Sequence, residues 1–208
     1  MRILGENLVH AGRIDPLTLS RYNHFQAGAA EMGPIKEPPP VKLIASIFTG
    51  DATLLAVARG ALVNRFGAID YQSELLPFNY TSYYAREFGP SLVRQIVAFA
   101  DLIAPQRLAE IKRTTNELET NWAIEGRRRV NVDPGYVSLG KLVLATTKDY
   151  AHRIYLGQGI YAEVTLQYKH GSFHPWEWTY PDYASPRYLE IFAQIRQIYA
   201  AQLRGGSA

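Results

Sequence analysis

The chain has 208 residues, 47% of them hydrophobic, with a net charge of +3 and no cysteine. That length fits one domain with an appended segment, and that apolar content can bury a core. The absence of cysteine excludes disulfides, thiolate metal sites and a cysteine nucleophile, and fits a reducing compartment. The mild positive charge does not by itself point to nucleic acid, because binders of that kind gather Lys and Arg on one face. Only Arg127-Arg128-Arg129 stands out in that respect.

The N-terminus, Met1-Arg2-Ile3-Leu4-Gly5-Glu6, lacks the apolar run of a signal peptide. Charges break every apolar stretch short of the roughly 20 residues a membrane helix needs. The longest near-miss, Leu92 to Ala104, carries Arg94 and Asp101. The expectation is a soluble, cytoplasmic protein without a membrane partner. Residues 1 to 40 have weak periodicity and end in Glu37-Pro38-Pro39-Pro40, a stiff linker. They are expected to be a poorly ordered extension, with Met32 an alternative start and a single domain over residues 41 to 205.

Lys42 to Thr49 reads as a buried strand, from the run Leu43, Ile44, Ile47, Phe48. Asp51 is a helix N-cap, since its carboxylate can accept free N–H groups of a first turn. Leu54, Leu55, Ala58, Leu62 and Phe66 follow at helical spacing, and Gly67 stops them. Two strands are expected over Ala68–Phe78 and Thr81–Phe88. Pro90-Ser91 opens an expected helix with a stripe of Leu92, Ile96, Phe99 and Ile103. Pro105 opens another, with Leu108, Ile111, Leu118 and Trp122 inward and Gly126 at its end.

From Arg127 the pattern turns to alternation. Strands are expected over Arg128–Val132, Lys141–Thr147, His152–Leu156, Ile160–Tyr168 and Phe173–Thr179. Asp133-Pro134-Gly135, Gly157-Gln158-Gly159 and His170-Gly171 read as breaks between antiparallel hairpins. Ser185-Pro186 starts a last helix carrying Tyr188, Ile191, Phe192, Ile195 and Tyr199. The fold class is therefore α+β: a β-α-β-β-α-α unit, an antiparallel meander and a C-terminal helix.

Four segments carry polar groups in suggestive patterns. Lys112, Asn116 and Glu119 fall at i, i+4 and i+7 of a helix, beside its buried stripe. They can hold a phosphate, or they can be salt-bridged surface. Asn131 and Asp133 share one face of a strand; Asp133-Pro134-Gly135 is also a turn signal. Lys148 ends an apolar strand, with His152 and Arg153 close behind. A rigid strand end suits a functional lysine, and edge lysines also guard against aggregation. His152 carries an imidazole, a side chain able to move a proton. Tyr161, Glu163 and Thr165 share one face of a strand, with Ile160, Ala162, Val164 and Leu166 on the other. If the helix of Lys112 to Glu119 covers the first face, Glu163 is buried and needs a cation.

Other motifs fail. His170 and His174 lie in a turn rather than on a helix, which argues against a metal pair. No glycine-rich phosphate loop ends in Lys-Ser or Lys-Thr.

Several stretches together resemble an uncharacterised bacterial family, the domain of unknown function 4416. They are Pro40-Val41-Lys42-Leu43, Pro77-Phe78, Thr81 with Tyr83-Tyr84, and Glu87-Phe88-Gly89. They continue with Ile111-Lys112, Thr115-Asn116, Glu119, Asn131 to Tyr136, Thr147-Lys148, His152 to Leu156, Gly159 to Leu166 and Trp178 to Tyr183. The resemblance implies one intact domain over residues 40 to 205. Members are sometimes labelled GTP-binding, but this chain lacks the motifs of a P-loop GTPase.

Two functions follow as expectations. In one, an enzyme or sensor binds a phosphorylated or nucleotide-like ligand. Its site is a cleft lined by Lys112, Asn116, Glu119, Asn131, Asp133, Lys148, His152, Arg153 and Glu163. Lysine and arginine would hold phosphate, and Glu119, Asp133 and Glu163 would meet Mg²⁺. In the other, a non-catalytic module binds RNA or protein through a sheet rich in tyrosine, of which the chain has 14.

Overall fold

The structure, a computed structural model, describes residues 35–77, 88 and 92–205. The extension expected over residues 1 to 40 lies outside them up to residue 34, and the strand expected over Thr81–Phe88 does so except for Phe88. Chain contacts divide the molecule into Met1–Glu37 and Pro38–Ala208, and the strands and helices of the described residues lie in the second unit.

Its elements run β1 (Val41–Thr49), α1 (Ala52–Phe66), β2 (Ile69–Gln72), β3 (Leu76–Pro77) and β4 (Val93–Ile103). A 3-10 turn (Pro105–Arg107) leads into α2 (Leu108–Asn121). Then come β5 (Val130–Val137), β6 (Lys141–Thr146), β7 (Ile154–Gly157), β8 (Ile160–Lys169), β9 (Ser172–Pro175) and α3 (Pro186–Gly205). The strands form one sheet in the order β2-β4-β1-β5-β6-β8-β7, with β3 on β4 and β9 on β8. Every pairing is antiparallel. Sheet and helices together make the α+β class. Among the described residues no helix is long and apolar enough to cross a membrane.

Helices cover both faces of the central strands. Leu54, Leu55, Ala58 and Leu62 of α1, with Ile111 of α2, pack on Leu43, Ala45, Ile47, Val97, Phe99 and Val132. Tyr188, Ile191, Phe192 and Ile195 of α3 pack on Ile44, Ile96, Ala98 and Leu142. Full burial of one such side chain contributes about 1.5–3 kcal/mol. Asp51 caps α1 as expected: its carboxylate accepts from the N–H groups of Thr53 and Leu54 at 2.9 and 3.0 Å.

Three expectations are corrected. Leu92 to Ile103 is not a helix but the central strand β4. A strand buried on both faces is nearly continuously apolar, and such a run mimics a helix stripe. Asp133-Pro134-Gly135 is not a break but the middle of β5, held against β1 through Ser46–Asp133, Ala45–Pro134 and Ile44–Gly135. Leu166 does not share the face of Val164. The ladder jumps from Leu142–Leu166 to Val143–Val164, so Thr165 is an extra residue, and Leu166 turns into the α3 side of the core. The other two glycine-containing breaks are hairpin turns, β7–β8 and β8–β9. His170 and Gly171 take φ of 50° and 83° between the paired Lys169 and Ser172, as a two-residue primed turn requires.

Candidate functional site

The site begins where two strands part. β5 and β6 leave their hairpin paired through Val137–Leu142, Tyr136–Val143 and Gly135–Leu144. A Cβ on Gly135 would meet the Val143 carbonyl oxygen at 2.3 Å, so this close approach needs glycine. The next residue, Pro134, has no N–H to continue the ladder. From there β5 stays with β1 as far as Val130–Thr49, and β6 stays with β8 as far as Thr146–Tyr161. Between them opens a cleft of about 680 Å³.

Helix α2 takes the place of the missing strand. The buried Lys112 ammonium donates to the Val132 carbonyl at 2.9 Å, and Glu119 Oε1 accepts from the Val132 N–H at 2.8 Å. Two side chains about two turns apart on one face of α2 thus satisfy the peptide groups that β6 has left. They also start a closed ring. Lys112 Nζ lies 3.3 Å from Asp133 Oδ1 and 3.9 Å from Glu119 Oε1. Asn131 Nδ2 donates to Asp133 Oδ2 at 2.7 Å. Arg128 donates to Asn131 Oδ1 at 3.1 Å and to Glu119 Oε2 at 3.3 Å. Burial pushes the Glu119 carboxyl above its ordinary range. Lys112 and the Val132 N–H oppose that rise, Asp133 adds to it and Arg128 opposes it.

The β6–β8 wall holds a second ion pair. Arg153 Nε donates to Glu163 Oε2 at 2.8 Å, and both side chains are 4% exposed. His152 Nε2 reaches the same oxygen at 3.3 Å, and the Thr165 hydroxyl donates to Oε1 at 3.2 Å. Glu163 therefore has its cations, but not for the reason expected. α2 packs on the opposite face, with Leu108 and Ala109 against Ile160 and Ala162. Arg153 also donates to the Lys148 carbonyl at 3.1 Å and lies 4.5 Å over the Tyr150 ring. Behind it, His152 stacks on Trp178 at 5.3 Å, and Trp178 on Trp176 at 5.1 Å.

A third pair closes the inner end. Arg94 of β4 donates to Asp182 Oδ2 at 2.6 Å, both buried. Burial alone would lower the Arg94 pKa, but Tyr183, Asp182, Tyr188 and Asp133 more than offset it and hold it above the usual value. Burial likewise drives the Tyr183 phenol well above the normal tyrosine range.

A family model described as Domain of unknown function (DUF4416) matches residues 39–199. The chain belongs to that family. No curated protein and no solved structure matches it. All of the cleft lies inside the matched span of the DUF4416 domain.

Of the residues singled out by sequence, Lys112, Asn116, Glu119, Asn131, Asp133, Lys148, Arg153 and Glu163 line this one cleft. His152 stands behind Glu163 rather than in the lining. The lining also contains Arg94, Thr120, Arg128, Tyr150, Tyr180 and Asp182, which sequence reasoning did not select. Arg94 had a signal, a charge inside an apolar run, and Arg128 sat in the only basic triplet. Among the described residues no three His, Asp or Glu side chains stand together so as to hold a metal ion. Lys112 stands between Glu119 and Asp133, and Glu163 is taken by Arg153.

Proposed function

We propose that the DUF4416 domain binds a phosphorylated, nucleotide-sized ligand in the cleft between α2 and the parted strands. The observation that carries this reading is the meeting of Arg94, Lys112, Arg128, Lys148 and Arg153 in one concavity. They outnumber the four carboxylates there, Glu119, Asp133, Glu163 and Asp182. Grouping these charges out of water costs desolvation unless a network or a ligand offsets it. The volume of about 680 Å³ fits a small-molecule site, typically about 300–1,000 Å³. Arg128 and Lys148 are the cations nearest solvent and are suited to meet phosphate. Mg²⁺, if it is needed, would come with the phosphates and meet Asp133, at 33% the most exposed of these four carboxylates. An enzyme and a sensor both fit this arrangement.

The rival reading, a Tyr-rich sheet that binds RNA or protein, has less support. Tyr71, Tyr136 and Tyr168 pack against the helix-covered cores, the exposed Tyr150 and Tyr180 line the cleft, and among the described residues the exposed strand tyrosine is Tyr155 of β7.

Melting curves with nucleoside mono-, di- and triphosphates, with and without Mg²⁺, test the proposal. A ligand at one hundred times its Kd stabilises by about 2.7 kcal/mol, which raises Tm by about 5–11 °C in a domain of this size. Lys148→Ala should remove that shift, each shift being read against the same variant's unliganded Tm. Failure of every nucleotide at millimolar concentration to move Tm, or survival of the full shift in Lys148→Ala, would sink the reading.

A further inference from the structure

The parted strands leave one strand edge facing the cleft, and its chemistry specifies more than phosphate. Along an antiparallel strand, successive residues aim their N–H and C=O groups at alternate neighbours. Val132 aims its pair away from β1, because Lys112 and Glu119 hold both groups. By the same alternation Pro134 and Tyr136 face β6. Their register partners on β6 follow from Tyr136–Val143 and Gly135–Leu144, so Val143, Ala145 and Thr147 face β5. Val143 meets a full partner there. Ala145 meets Pro134, which has no N–H to offer its carbonyl. Thr147 comes opposite Val132, whose peptide groups are already engaged by α2. The edge turned to the cleft therefore presents the Ala145 carbonyl as acceptor and the Thr147 N–H as donor, side by side. Ala145 and Thr147 both line the cleft.

We propose that this edge reads a nucleobase of the 6-aminopurine class, the Ala145 carbonyl accepting from the exocyclic amine and the Thr147 N–H donating to the adjacent ring nitrogen. The inference rests on the nucleotide reading of the cleft and deepens it. Adenine carries a donor beside an acceptor on that edge, the complement of the strand. A 6-oxopurine carries them in the opposite order. Asn116 of α2, Tyr180 and Pro181 also line the cleft in which a base at this edge would lie. An extended peptide also pairs with strand edges, but a ladder needs more than the two residues available here. Carbonyl and N–H belong to the backbone, so side-chain motifs in the sequence give no sign of them.

The test compares AMP with IMP, ADP with IDP and ATP with ITP by isothermal titration of the full chain. Each pair differs only in the order of donor and acceptor on the base edge. The adenine member should bind at least tenfold more tightly in each pair. Inosine nucleotides that bind equally well or better overturn the assignment. If Lys148→Ala abolishes that indiscriminate binding, the phosphate reading stands alone. If no nucleotide of either kind binds, both readings fall. Pro134→Ala supplies the missing N–H opposite Ala145 and should reduce the preference to less than threefold while inosine nucleotides bind as before. A folded Pro134→Ala protein that keeps the tenfold preference also overturns the assignment, and if that variant does not fold the wild-type pairs decide.

Discussion

Lys112 and Glu119 replace a strand, and that role predicts a response that an ordinary buried ion pair would not give. Lys112→Ala removes the donor to the Val132 carbonyl and leaves a buried Glu119 carboxylate with less positive charge. Breaking a buried pair on one side costs about 3–5 kcal/mol, or roughly 6–20 °C in Tm for a domain of this size. The decisive variant is the apolar double, Lys112→Met with Glu119→Leu. For a simple ion pair, such a replacement is neutral or stabilising, by up to about 4 kcal/mol. Here it orphans both the N–H and the carbonyl of Val132, each at about 1–3 kcal/mol. The double variant should therefore end about 2–6 kcal/mol less stable than the same replacement of a simple ion pair would leave it, read from urea midpoints with an unchanged m value. A double variant more stable than the wild type by more than about 2 kcal/mol would refute the view that α2 completes the open edge of β5.

Three further outcomes follow from the same geometry. Glu119 has a folded pKa raised above its unfolded value of about 4.5, so the folded state holds the proton longer. That contribution to stability is greatest below the unfolded value and is lost as pH rises through the folded one. Urea midpoints over about pH 4–7 should fall less with pH in Glu119→Gln than in the wild type, and an identical slope would contradict the burial argument. Arg153→Ala strands the buried Glu163 and should cost about 3–5 kcal/mol, whereas Glu163→Gln, which keeps an acceptor, should cost less; the reverse order in chemical denaturation would count against the pairing. Gly135→Ala forces a Cβ against the Val143 carbonyl and should destabilise by about 1–3 kcal/mol. A neutral effect on Tm would mean that the strands do not approach so closely.

The parts of the fold that could be read from sequence are those whose signal is local. Asp51 identifies the start of α1 because capping involves only the next few residues. Gly157 to Gly159 and His170-Gly171 mark hairpins because the turn conformation selects those residues. β4 mimics a helix in sequence because its apolar pattern depends on what covers it. With α1 on one face and α3 on the other, Ile96, Val97, Ala98 and Phe99 are all buried, and neither a two-residue nor a 3.6-residue period survives. The displacement of Leu166 was hidden for a related reason, since an extra residue in one strand is defined only against its partner.

The cleft was legible to the extent that each strand or helix sets its own face. The spacing of Lys112, Asn116 and Glu119 puts them on one side of α2, and Asn131 and Asp133 alternate onto one side of β5. What joins them is a property of Pro134 that local reading assigned to a turn. In a turn, proline presets φ; inside β5 the feature that matters is its missing N–H, which lets β6 leave. Once the strands part, Val132 needs new partners, and Lys112 and Glu119 are within reach from the helix beneath. Two of the charges that sequence reasoning assigned to a ligand are thus already engaged by the protein. In the proposed reading a phosphate meets Arg128 and Lys148 at the mouth, and the base meets a backbone edge that no side chain announces.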